Sequence, residues 1–141
     1  IVWDSIKGIN ANDLKIINNT DIYLPPFKDF KITGYVGIFT NGTEGSATYI
    51  ASRFYLVKNG KPTVESLPIS TWGYSESSTE GYHDGGVTNP ICILNTGKQG
   101  ATIRMIANGP TNDRFTRMSA STSHDAKHMS SIGSYLLIEE L

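Results

Sequence analysis

The chain has 141 residues, one cysteine, 12 Lys and Arg against 13 Asp and Glu, and only 18% charged residues. That length suits one domain with a real core, and a single Cys92 excludes an intrachain disulfide scaffold. A net charge of −1 offers no cation excess to displace counterions from nucleic-acid phosphates, and no apolar run approaches the roughly 18 residues that cross a bilayer. Gly, Ser, Thr and Asn make up 52 of the 141 residues, and Ile, at 16, outnumbers Leu at 8 and Ala at 7. Ser, Asn and Gly are weak in helix interiors, and Ile and Thr suit a pleated surface. The composition predicts an all-β fold. Ile1 in place of an initiator Met reads as a processed or excised chain, and no signal-peptide pattern is found at its start.

Residues 1–19 differ from the rest. Ile1-Val2-Trp3, Ile6, Ile9, Leu14 and Ile16-Ile17 are separated by Asp, Gly and Asn. They read either as a stem leading into a domain spanning 20–141 or as an ordinary first strand. Pro25-Pro26 stops any ladder, because neither residue has an N–H. Phe30, Ile32, Val36 and Ile38 then alternate on one face of a half-buried strand. Residues 48–58 form a second, with Ile50, Ser52, Phe54 and Leu56 on one face and Tyr49, Arg53, Tyr55 and Val57 on the other. Asn59-Gly60 closes a hairpin, since both residues tolerate positive φ.

Residues 70–90 read as a polar loop carrying Trp72, Tyr74, Tyr82 and His83. Strands resume at 91–94 and 101–107. Residues 112–131 fit either a short helix or a strand followed by a Ser-rich loop. The run Ser134-Tyr135-Leu136-Leu137-Ile138 predicts a last strand buried on both faces, either centrally in a sheet or against another chain.

The catalytic patterns are weak. There is no G-x-S-x-G elbow and no glycine loop for phosphate. Cys92 lies in an apolar strand and reads as an inert buried thiol. Glu76, Glu80 and Asp84 could pair for glycoside hydrolysis, but acids in Ser/Gly loops are usually solvated. His124 and His128 would share one side of a helix, with His83 or Asp84 as a third ligand; the competing reading is two surface histidines. Neither catalysis nor a metal or cofactor is expected. The 70–90 segment suits sugar binding better. A pyranose packs its C–H face on Trp or Tyr, and short polar groups take its hydroxyls. Trp72, Tyr74, Tyr82, His83, Asp84 and Asn89 supply both parts, unless the rings plug the edge of the core.

The Asn- and Ile-rich lead-in from Gly8 to Ile16, the short Gly/Ser/Thr/Asn-rich strands and the apolar Ser134–Leu141 together resemble the C-terminal domains of bacteriophage tail fibres and tailspikes. The resemblance implies an antiparallel, jelly-roll-like β-sandwich assembled as a homotrimer. It would sit extracellularly on the virion tail and bind bacterial cell-surface polysaccharide. Metal-binding tips of that type use His-x-His pairs, which this chain lacks. Edge strands with few charged gatekeepers also favour closed assembly. The alternatives are a monomeric carbohydrate-binding module or lectin domain of a secreted bacterial protein, and a structural domain without ligand. No nucleic-acid or membrane partner is expected.

Overall fold

The computed structural model describes residues 1, 3, 5–8, 13–41, 47–67, 71–76, 85–108, 115–117 and 134–141. The described elements are almost entirely strands, in two antiparallel sheets. The strands are β1 (Lys15–Ile17), β2 (Asp21–Leu24), β3 (Asp29–Asn41), β4 (Ala47–Lys58), β5 (Lys61–Ser66), β6 (Thr71–Glu76), β7 (Gly85–Thr88), β8 (Ile91–Asn95), β9 (Ala101–Asn108), β10 (Phe115–Arg117) and β11 (Ser134–Glu140). A 3-10 turn spans Gly97–Gln99.

Each sheet is organised around one long strand. In the first, β4 pairs with β9 on one side and with β5 and β6 end to end on the other, and β9 carries β2 and then β1. In the second, β3 pairs with β8 and β7 end to end on one side and with β11 and β10 on the other. Two hairpins have tight turns. Asn59 and Gly60 both have positive φ between β4 and β5, as the sequence predicts. Asn18 and Asn19 do the same between β1 and β2, where the Thr20 N–H donates to the Ile17 carbonyl at 3.2 Å. Positive φ at both central residues defines the turn whose twist matches paired strands.

The alternation read from the sequence sets the core. Phe30, Ile32 and Val36 of β3 are buried, and so are Ser52 and Phe54 of β4, whereas Arg53 is exposed. Ile22, Leu24, Cys92, Ile103 and Met105 complete one cluster drawn from both sheets, with Ile1, Trp3, Leu14, Ile16, Leu136 and Ile138 packed against it. The Ser52 and Thr88 hydroxyls are 2.7 Å apart and buried, linking β4 of one sheet to β7 of the other. The sheets approach each other closely at Gly34. A Cβ there would lie 2.5 Å from Met105 Sδ, 2.8 Å from Pro90 Cγ and 3.1 Å from Phe54 Cζ.

Asp21 is buried on the side of β2 away from Ile22 and Leu24. Arg104, its register partner on β9, donates to both carboxylate oxygens, at 2.5 and 3.0 Å, and Thr20 Oγ1 donates at 3.1 Å. A forked guanidinium matches a carboxylate better than a point charge does. The hydrogen bond from Arg104 to Asp21 raises the guanidinium pKa further above its ordinary value, partly opposed by desolvation. Arg104 also reaches the Gly60 carbonyl at 3.3 Å, tying the β4–β5 turn to the β2–β9 pair.

The segment 70–90 departs from the loop the sequence suggests, because β6 and β7 lie within it. Glycine and serine mask their pattern, but long-range pairing with β4 and β3 supplies the hydrogen bonds that their short side chains cannot predict. Among the described residues of this chain the last strand is covered on one face only, which rules out a central place in the sheet but does not bear on packing against another chain. Leu136 and Ile138 pack inward, while Tyr135 and Leu137 are 46% and 50% exposed. Among the described residues β11 pairs with β3 and no other strand beside it.

Gly34→Ala should lower stability by about 1–3 kcal/mol through overpacking, seen as a lower urea midpoint with an unchanged slope. Arg104→Ala should cost about 2 kcal/mol, because it strips two charge-assisted bonds from a buried carboxylate; the same denaturant titration reads it.

Candidate functional site: the outer face of the second sheet

Phe30, Ile32, Gly34 and Val36 of β3 face the core, so Asp29, Lys31, Thr33 and Tyr35 face outward. Gly34 N–H donates to the Pro90 carbonyl at 2.8 Å, toward the β8 side, and Leu141 N–H donates to the Asp29 carbonyl at 3.0 Å on the β11 side. Register then lays out four rows across β11, β3 and β8. Tyr135 lies opposite Tyr35; Leu137, Thr33 and Ile91 form the next row; Glu139, Lys31 and Ile93 the next; and Leu141, Asp29 and Asn95 the last.

The chemistry of this face is mixed. The Tyr35 and Tyr135 rings stack with centroids 4.9 Å apart and planes 12° from parallel. Such cross-strand pairs contribute about 0.2–1 kcal/mol. Lys31 Nζ and Glu139 Oε2 are 3.2 Å apart, close enough for an ion pair but not aligned as a hydrogen bond. Lys28 donates to Glu140 at 2.7 Å, and Asn95 Nδ2 donates to Asp29 Oδ1 at 2.8 Å. Between these polar pairs Leu137 and Ile93 stand outward, and Ile93 is 68% exposed. The surface-facing side of an antiparallel sheet normally alternates to polar residues. Here three of its rows retain large apolar groups.

The residues selected from the sequence are placed as follows. Trp72 and Tyr74 are on β6, opposite Ala51 and Tyr49 of β4. Asn89 is exposed between buried Thr88 and Pro90, where β7 passes into β8. Tyr82, His83 and Asp84 lie outside the described residues, as do Glu80, His124 and His128. Trp72 and Tyr74 thus belong to the first sheet, and Asn89 follows a strand of the second. Sequence reading missed Tyr35, Tyr135, Ile93 and Leu137 as a surface. The alternation that assigned Phe30, Ile32 and Val36 inward already assigned Tyr35 outward; the missing datum was which strands lie beside it.

Among the described residues no group of three His, Cys, Asp or Glu could hold a metal ion, and no helix is long and apolar enough to cross a membrane. Cys92 is buried opposite Ile32, and burial pushes its thiol up to about 11. No protein-family model matches the chain, and no curated protein matches it.

Cys92 should resist iodoacetamide at neutral pH until the fold opens, so that its labelling rate follows the urea unfolding curve. Its buried neutral form contributes stability that is fully present below pH about 9. That contribution is lost as pH rises through about 11, where the unfolded thiolate is favoured. Cys92→Ser should remove this alkaline dependence, read as the denaturation midpoint against pH.

Proposed function

We propose that this chain is the C-terminal trimerisation and host-surface glycan-binding domain of a phage tail fibre or tailspike. Its two sheets would form a jelly-roll-like antiparallel β-sandwich. The supporting observation is the outward face of β11. An apolar strand at the side of a sheet is a template for association unless it is covered or blunted. Tyr135 and Leu137 of β11 stand exposed, as does Ile93 of β8 across β3 on the same face. Both glutamates that follow are neutralised within the chain, Glu139 by Lys31 and Glu140 by Lys28, so a sister copy would meet little like-charge repulsion. Closed cyclic symmetry would shelter the face without leaving an open end. The shared core and the Ser52–Thr88 contact across the sheets support the sandwich.

Glycan recognition is assigned to Trp72, Tyr74, Tyr82, His83, Asp84 and Asn89, on the chemistry of aromatic rings beside short polar groups. The proposal contains no catalytic step and no cofactor. A monomeric carbohydrate-binding module or lectin domain of a secreted bacterial protein is the second reading. It is favoured by the core closing within one chain, where Leu24, Ile32, Val36 and Ile103 are fully buried.

Sedimentation equilibrium separates the two: the fibre reading expects about three times 15.4 kDa, and the module reading expects the monomer mass. Leu137→Glu should split the assembly while circular dichroism keeps its β signature. For the glycan site, replacing Trp72 and Tyr82 by Ala should abolish adsorption to host cells without unfolding. Loss of the fold instead would make those rings core.

A further inference from the structure

Phe27 is held in a conformation that its own side chain disfavours. Its φ is +60°, and the other non-glycine residues with positive φ among those described are all asparagines, Asn18, Asn19 and Asn59. Asparagine visits the left-handed region readily; a bulky residue there is an outlier. Such outliers persist only where the surroundings over-determine them, and they concentrate at ligand contacts.

The surroundings do over-determine this one. Pro25 and Pro26 restrict the approach. The Phe27 N–H donates to the Gly97 carbonyl at 2.7 Å. The Lys28 N–H donates to Thr96 Oγ1 at 3.1 Å, and Thr96 returns its N–H and its hydroxyl to the Lys28 carbonyl at 3.0 and 3.1 Å. Asn95 braces the other strand, donating to Asp29 and accepting the Gly97 N–H at 3.0 Å. All of this order ends in a phenyl ring that is 73% exposed. The fold gains little burial from the ring, so packing does not account for the strained backbone.

We propose that Phe27 is a preformed saccharide contact, with the ring stacking on the C–H face of a pyranose. The amide of Asn95, the carboxylate of Asp29 and the exposed Lys98 and Gln99 of the facing turn would take its hydroxyls. The rim chemistry favours a sugar over a protein partner. A protein anchor sits in a contiguous apolar patch, whereas the exposed residues of the segments bonded to the Phe27 backbone include Asp29, Asn95, Lys98 and Gln99, all polar. The exposed Leu141 lies across Asp29, on the β11 side of β3, away from the Gly97 turn. The bonded backbone fixes the point from which the ring projects, which lowers the ordering cost of the segment on binding. The ligand class rests on the glycan-binding reading above; the site is a different one, at the end of the molecule where β2 passes into β3.

The test titrates glucose, galactose, mannose, rhamnose and N-acetylglucosamine into the whole nitrogen-15-labelled chain and follows amide shifts. At least one sugar should move the Phe27, Asn95, Gly97 and Gln99 signals. Phe27→Gly should weaken that binding about tenfold without lowering the thermal midpoint, because glycine accepts the positive φ. Phe27→Tyr should retain binding. Shifts confined to the neighbourhood of Trp72, Tyr74 and Asn89, or unchanged affinity in Phe27→Gly, would overturn this site and leave the glycan-binding reading intact. No shift with any of the sugars would remove both. A change of assembled mass in Phe27→Gly, with sugar binding preserved, would make the ring a protein contact and also overturn the proposal.

Discussion

At the middle of β3 the two sheets approach so closely that residue 34 has room for a hydrogen atom and nothing larger. Met105, Phe54 and Pro90 occupy the space a side chain would need, and the Gly34 N–H is spent on the Pro90 carbonyl. This closeness locks the parity of β3. With residue 34 inward, Phe30, Ile32 and Val36 are inward as well, and a slip of one position would exchange the faces along the whole strand. Everything paired with β3 inherits the same parity: Cys92 and Leu94 on one side, Leu136 and Ile138 on the other.

The same parity creates the outer surface. Tyr35, Thr33 and Lys31 must face away from the core, and the register of β11 then sets Tyr135, Leu137 and Glu139 beside them. The apolar outward row is therefore not an independent feature. It is what remains when a strand with large residues at successive positions, Tyr135-Leu136-Leu137-Ile138, can bury only every second one.

The first sheet is stabilised differently. Its core-facing side is apolar, but its other side contains a buried carboxylate, Asp21, held by the Arg104 fork and by Thr20. An ion pair of this kind adds little net stability against an apolar pair, yet breaking it leaves an uncompensated charge. It links β2, β9 and the Asn59-Gly60 turn through one guanidinium. Phe27 stands at the opposite extreme: its N–H is bonded to the Gly97 carbonyl and its ring is mostly exposed.

Much of this fold was legible in the residues alone. Two-residue alternation identified the inward faces of β3 and β4, and Asn-Gly identified the β4–β5 turn, because both signals are local: a side chain's face and a turn's φ depend on neighbours within a few residues. The strands β6 and β7 were not legible, because Ser, Gly and Thr carry little face preference and their pairing comes from β4 and β3. Nor could the sequence say that Ser134–Glu140 lies beside β3 with no described strand at its other side, that Asp21 meets Arg104 from 83 positions away, or that Phe27 adopts a glycine-like φ. These depend on which distant segments become neighbours, and only the three-dimensional packing of the chain decides that.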